Sequence, residues 1–69
     1  MLAGMEYRAD LYAAGAEFDH TERYIARNET EAIDAARQMV VALGLDYAEV
    51  YRTDGHGEIT HVAMVGAER

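Results

Sequence analysis

Residues 28–44, NETEAIDAARQMVVALG, predict one amphipathic helix whose start and end are both encoded, and the predicted fold is built around it. Asn28 is a capping residue, because its side chain can accept a hydrogen bond from the backbone N–H of Glu31. The carboxylate of Glu31 can reach back to the N–H of Asn28, which completes a capping box. Gly44 follows the last apolar residue, where a left-handed conformation would end the helix.

Apolar residues recur along this stretch at three- and four-residue spacing, as one face of a helix requires. They form a single stripe of Ala32, Ile33, Ala36, Met39, Val40 and Leu43. Glu31, Asp34 and Gln38 fall on the opposite side, and Val41 lies among them. We therefore expect the helix to pack one face against a sheet and to leave Val41 half-exposed.

Strand-like segments flank the helix on both sides. Residues 5–13 alternate between apolar and polar side chains, and residues 18–27 are extended with a weaker alternation. Beyond the helix, 47–53 and 58–65 are rich in β-forming residues and are separated by a turn at 54–57. The order ββαββ predicts an α+β fold in which one helix packs on one face of a four-stranded, largely antiparallel sheet.

The side of the sheet beneath the helix is predicted to form the core. On the second strand, alternation from Phe18 places Phe18, His20, Tyr24 and Ala26 on one side and Ile25 on the other. The expected core comprises Leu11, Phe18, Ile33, Ala36, Met39, Val40, Leu43 and Val50, with some of Ile59, Val62 and Met64.

The other side of the sheet has no expected cover within this chain. It is predicted to carry Glu6, Arg8, Asp10 and Tyr12 on the first strand, with Tyr47, Glu49 and Tyr51 on the third. Tyrosines interleaved with carboxylates are typical of protein contact surfaces. Tyrosines also suit ordinary cross-strand pairing, so a purely structural role is the alternative interpretation.

The chain has 69 residues, which is the size of one small domain with a limited core. Residues 1–4 are interpreted as a leader, because the patterned sequence starts at Met5, and 5–69 as the single domain. Cysteine is absent, so neither disulfides nor thiolate metal sites supplement the core. No apolar run approaches the roughly 18 residues of a membrane span, so we expect a cytoplasmic protein with no membrane partner.

Thirteen acidic residues against six arginines give a net charge of −7 and a pI near 4.7. This balance disfavours direct binding to a nucleic-acid backbone, which is itself anionic. It favours a protein partner with a basic surface.

Three histidines are the residues to consider for catalysis or metal binding. His20, His56 and His61 each have an acid close by in sequence, but they fall on different predicted elements. Cysteine and serine nucleophiles are absent, and the Gly55-His56-Gly57 turn is too short for a phosphate-binding loop. We therefore expect no cofactor, no metal and no enzymatic activity. A small enzyme or metal protein built on the histidines is the third-ranked alternative.

Two segments resemble those of many short bacterial and phage domains of ββαββ type. One is the strand-to-helix junction Ala26-Arg27-Asn28-Glu29-Thr30-Glu31-Ala32, followed by Ala35-Ala36-Arg37. The other is the hairpin Val50-Tyr51-Arg52-Thr53-Asp54-Gly55. Some of the small phage-encoded anti-CRISPR proteins are of this kind, and this chain is similar to them in length, in lacking cysteine and in its single helix. The resemblance implies an acidic inhibitor that occupies the basic, nucleic-acid-binding groove of a CRISPR effector.

The sequence thus predicts a small acidic protein-binding module of the phage inhibitor type. The alternative is a homodimeric structural or regulatory domain that closes its open sheet face against a second copy. The residues predicted to contact the partner are Glu6, Asp10, Tyr12, Glu29, Asp34, Tyr47, Glu49 and Tyr51.

Overall fold

The computed structural model describes residues 4–66, and its elements follow the predicted order. They are β1 (Met5–Ala13), β2 (Glu17–Ala26), α1 (Glu29–Leu43), β3 (Tyr47–Thr53) and β4 (Ile59–Gly66). The strands form one sheet in the order β2-β1-β3-β4, and every neighbouring pair is antiparallel. The predicted ββαββ fold is therefore confirmed. Of the predicted leader, residues 1–3 lie outside the described residues.

The helix begins at the predicted cap. The side chain of Asn28 accepts a hydrogen bond from the N–H of Glu31 at 2.9 Å. The reciprocal half of the capping box was predicted wrongly, because the Glu31 carboxylate accepts from the N–H of Arg27 rather than that of Asn28. The Arg27 guanidinium also donates to Glu31, at 2.6 and 3.0 Å, and so draws the carboxylate one residue back. These hydrogen bonds lower the pKa of Glu31.

The helix ends at Gly44, whose φ of 69° is the left-handed conformation expected for a terminating glycine. The N–H of Gly44 donates to the carbonyl of Val41, and the N–H of Leu45 donates to the carbonyl of Val40. This pair of hydrogen bonds folds the chain back, so that Leu45 packs against the core. Leu43 was predicted to be buried, but it is exposed, because Leu45 packs at this end of the core.

Alanine dominates the contact between helix and sheet. Ala32, Ala36 and Val40 recur every four residues along α1 and have no exposed surface. Ala9 and Ala48, on the two central strands, are equally buried. The largest fully buried side chains are Tyr7, Leu11, Val40 and Val50. Because small residues meet on both sides, the helix backbone can lie close to the sheet.

A β-bulge in β2 moves Phe18 out of the predicted core. Leu11 pairs with His20, but Tyr12 pairs with Phe18, so Asp19 is the extra residue. The extra residue reverses the alternation beyond it and turns Phe18 to the side away from the helix. Tyr24 and Ala26, on the regular part of β2, lie on the predicted side.

A second bulge in β4 has the same effect on Ile59. Val50 pairs with Ala63 and Tyr51 pairs with His61, which leaves Val62 as the extra residue. Ala63 and Val65 face the helix, whereas Ile59 and Met64 are exposed. Val62 is the one of the three optional core residues that packs partly against the core.

A partly buried tyrosine links the first turn of the helix to β2. The hydroxyl of Tyr24 donates to the backbone carbonyl of Ala32 at 2.7 Å. Partial burial, aided by the neighbouring Tyr7, raises the pKa of Tyr24 to about 12, so the hydroxyl keeps its proton at neutral pH. The Tyr24 ring also stacks on that of Tyr7, with 6.1 Å between centroids.

Replacing the capping residue tests the start of the helix. Asn28→Ala removes the acceptor for the Glu31 N–H and should lower the free energy of unfolding by about 1 kcal/mol. Asn28→Ser keeps a capping oxygen and should remain close to the parent. Chemical denaturation followed by circular dichroism measures both, and equal stability of parent and Asn28→Ala would place the helix start elsewhere.

Two adjacent valines test the assignment of the helix faces. Val40 is fully buried and Val41 is 57% exposed. Val40→Asp buries an unpaired carboxylate at a cost of several kcal/mol, comparable with the roughly 3 to 10 kcal/mol that stabilises a domain of this size. It should leave the chain unfolded at 25 °C, whereas the melting temperature of Val41→Asp should be close to that of the parent. A folded Val40→Asp variant would contradict the packing described above.

Candidate functional site

Within residues 4–66, no helix or loop covers the side of the sheet away from α1. We call it the open face. Alternation along β1 places Glu6, Arg8, Asp10 and Tyr12 on it, because the residues between them are buried under the helix. Strand register extends each of these positions into a row that crosses all four strands.

The four rows differ in chemistry. The outer row contains Ile25, Glu6, Thr53 and Ile59; the basic row Arg23, Arg8, Tyr51 and His61; the acidic row Thr21, Asp10, Glu49 and Met64; and the aromatic row Phe18, Tyr12, Tyr47 and Gly66. They follow one another in this order along β1.

The aromatic row is a continuous set of ring contacts. The rings of Tyr12 and Tyr47 are stacked, with 4.8 Å between centroids and 8° between planes. Phe18 meets Tyr12 edge-on at 5.6 Å. Such contacts hold the rings in fixed positions, so they lose little conformational entropy when a partner covers them. Partial burial, followed in importance by the neighbouring Tyr12, raises the pKa of Tyr47.

The basic row places two arginines side by side. Arg8 lies directly opposite Arg23 across β1 and β2, which is unfavourable for like charges. On its other side, the Arg8 guanidinium lies 4.8 Å from the centroid of the Tyr51 ring. The Nε atom of Arg8 is buried without a hydrogen bond, 3.3 Å from Oδ1 of Asp10, whereas Nη2 of Arg8 donates to Oδ2 of Asp10 at 3.5 Å.

The acidic row is tied to its neighbours by hydrogen bonds. Asp10 accepts from the hydroxyl of Thr21 at 2.8 Å, and Glu49 is hydrogen-bonded to Nε2 of His61. Asp10 and Glu49 are themselves directly opposite across β1 and β3. With His61 neutral, three carboxylates and two guanidinium groups leave the open face with a formal charge of −1, against −7 for the whole chain. The open face is therefore mixed in charge rather than acidic.

Large apolar side chains stand exposed around the margin of the open face. Phe18, Ile25, Ile59 and Met64 are between 50 and 64% exposed, and each lies on an edge strand. They are four of the seven large hydrophobic residues that are exposed in the described part of the chain. Exposed apolar groups gathered on one face indicate an interaction surface more strongly than the same groups scattered singly.

The structure brings six of the eight predicted contact residues together. Glu6, Asp10, Tyr12, Tyr47, Glu49 and Tyr51 all lie on the open face. Glu29 and Asp34 lie apart from them on α1, where Glu29 is 3.2 Å from Arg52 and Asp34 is 3.5 Å from Arg37. Sequence reasoning had placed Ile25 on this side, but it missed Phe18 and Ile59 as surface residues, because alternation alone does not reveal a bulge.

The histidines lie far apart in the fold. His20 is on β2, between Asp19 and Glu22 at 2.6 and 2.8 Å, and hydrogen bonds to these two carboxylates raise its pKa. His56 is in the turn before β4, and His61 is in the basic row. Within residues 4–66, no group of three or more His, Cys, Asp or Glu side chains is placed to hold a metal ion.

The remaining surface features are modest. Among the described residues, those that line an open hollow on the outer side of the helix all belong to α1, namely Asp34, Arg37, Gln38, Val41 and Ala42. The carboxylate of Asp54 is engaged by the N–H groups of His56 and Glu58 within the turn. No helix in the described residues is both long enough and apolar enough to cross a membrane.

Comparison with known proteins leaves the open face as the principal guide to function. No protein-family model, curated protein or solved structure matches this chain. The anti-CRISPR resemblance and the inhibitor role that it implies therefore stay predictions.

Proposed function

We propose that this chain is a non-catalytic binding protein and that a partner protein docks on the open face of its sheet. The observation that carries the proposal is the aromatic row, in which Tyr12 stacks on Tyr47 and meets Phe18 edge-on, on a face that no other element of residues 4–66 covers. Aromatic side chains supply much of the binding energy at protein interfaces when they are held rigidly and can be dehydrated.

The free energy expected from covering apolar side chains supports this function. Phe18, Ile25, Ile59 and Met64 are each half or more exposed. Covering one such side chain contributes about 1 kcal/mol, so the four together contribute about 4 kcal/mol. Association costs at least about 4 kcal/mol in lost translational and rotational freedom, so apolar contact at the margin offsets this cost without exceeding it. The aromatic and charged rows must supply the remainder.

The net charge of the chain indicates which kind of partner it would attract. The net charge of −7 favours a basic partner, and an inhibitor of a CRISPR effector is one form of the proposed function. Several of the acids are already paired at short range, including Glu29 with Arg52 and Asp34 with Arg37. Among residues 4–66, the carboxylates of Glu6, Glu17 and Glu58 have neither an ion pair nor a hydrogen bond, and of these three only Glu6 lies in the rows of the open face. A basic groove on the open face would therefore be attracted by long-range steering and by Glu6.

A pair of exposed apolar positions tests the location of the site. Met64 and Val41 are 63% and 57% exposed, on the open face and on the outer side of the helix respectively. Met64→Lys should weaken binding by roughly tenfold, because it replaces apolar contact with a charge that must be dehydrated, and Val41→Lys should not. The measurement is retention of proteins from host lysate, and of an untagged copy of the chain, by each tagged variant.

Unchanged retention by Met64→Lys, or equal loss by Val41→Lys, would contradict docking on the open face. Circular dichroism of both variants confirms that folding is not the cause. The two substitutions add the same charge at similar exposure, so Val41→Lys is a matched control.

Reversal of single acids tests the electrostatic form of the proposal. If a basic groove is the target, Glu6→Arg and Asp34→Arg should both slow association, and added salt should slow it further. The association rate is measured with the retained partner at about 50 and 500 mM salt, which spans a Debye length from about 14 to 4 Å. A rate that salt and both substitutions leave unchanged would eliminate the groove and leave apolar docking.

A further inference from the structure

The order of the rows on the open face suits a two-fold axis. The basic and acidic rows are adjacent and central, and the outer and aromatic rows flank them. An axis that runs across the strands between the two central rows would turn a second copy end over end. Its acidic row would then face the basic row of the first copy, and the reverse contact would form equally.

We infer that the open face is closed by a second copy of this chain, in a two-fold dimer with the two sheets face to face. The inference rests on the proposed function, since it names the protein that docks on that face. Arg8 faces Asp10 of the second copy, and Phe18 faces Ile25 of the second copy. Each of these contacts occurs twice.

The charge pattern selects this axis over the other symmetric arrangement. With an axis parallel to the strands, every row would face the same row of the second copy. Strand β1 of one copy would then lie opposite β3 of the other. Asp10 would then face Glu49 of the second copy, and Arg23 would face His61. Like charges would meet across a dehydrated interface, which weakens such an arrangement strongly. The axis across the strands brings opposite charges together instead.

The arginine pair favours an occupant that carries carboxylates. Arg8 and Arg23 are directly opposite each other, and Nε of Arg8 is buried without a hydrogen bond. A uniformly basic partner would add a third positive group to this row. A uniformly acidic partner would meet the same objection at Asp10 and Glu49. A second copy sets its acidic row against the basic row, so that Arg8 faces Asp10 of the second copy and Tyr51 faces Glu49 of the second copy.

The size of the face sets the expected affinity. Four strands about 4.8 Å apart and four rows about 6.8 Å apart cover about 500 Å² on each copy, or about 1,000 Å² in total. Specific interfaces begin near that area, so a dissociation constant on the order of micromolar is expected. The mutual repulsion of two acidic chains also weakens the dimer, and added salt reduces this repulsion.

The first experiment measures the mass of the full chain by sedimentation equilibrium, from about 1 µM to about 1 mM, a range that brackets the expected constant. The chain should pass from 7.7 kDa to twice that mass. Arg8→Glu and Asp10→Arg should each weaken the dimer at least about tenfold, because like charges then face each other twice. An equimolar mixture of the two variants should restore dimerisation. In the mixed dimer the introduced glutamate faces the introduced arginine, and the retained Arg8 faces the retained Asp10.

Two controls separate this result from a change in folding or in overall charge. Arg37→Glu makes the same change of charge as Arg8→Glu, but on the helix, and should leave the dimer intact. If Arg8→Glu or Asp10→Arg does not fold, the variants Phe18→Cys and Ile25→Cys test the dimer instead. Both positions are exposed and the chain has no cysteine of its own. In a mixture of these two variants, a short bis-maleimide that spans the roughly 10 Å between facing sheets should join the two thiols several-fold faster than it joins two copies of either variant.

A chain that stays monomeric up to about 1 mM would overturn the dimer. A dimer that folded Arg8→Glu leaves unchanged, or that the mixture fails to restore, would also overturn it. The proposed docking on the open face can hold even if the dimer is disproved. If the chain is monomeric but Met64→Lys loses a host protein that Val41→Lys retains, docking on the open face survives with a different occupant.

Discussion

The packing of an alanine-lined helix against one side of the sheet is the constraint on which the rest of the structure depends. Ala32 and Ala36 on α1 meet a sheet whose central strands carry Ala9 and Ala48, and none of the four has exposed surface. A larger side chain at any of them would push the helix away from Tyr7, Leu11 and Val50. The helix covers one side of the sheet. The other side is exposed to solvent unless another molecule covers it.

The sequence predicted the parts of the fold that are decided locally. The helix follows from a four-residue period, from Asn28 and from Gly44, all within one stretch of chain. The faces of β1 and β3 follow from plain alternation, which is why six of the eight predicted contact residues lie together. The ends of β2 and β4 could not be predicted in this way. Each contains one residue with no partner across the ladder, and that residue is identified only by pairing with another strand.

Net charge proved a poor guide to the chemistry of a particular surface. The chain carries −7, but Arg27 at the start of the helix, Arg37 in its middle and Arg8 in the sheet each lie beside a carboxylate. Local pairing of this kind leaves a protein whose distant field is negative and whose open face is nearly balanced. In the proposed complex, approach and contact would therefore be governed by different residues. Mutations that alter the rate of encounter need not alter the lifetime of the complex.

The two bulges also bear on how far any assembly of this chain can grow. β2 and β4 are the edge strands, and each is interrupted by an extra residue that breaks the regular ladder of backbone donors and acceptors. An unbroken edge is a template for strand addition, and repeated addition has no natural end. With both edges irregular, lateral growth towards a fibril is disfavoured, and association is left to the flat surface. The proposed contact through that surface about a two-fold axis would be complete at two copies, so such an assembly would be a finite particle rather than an open-ended one.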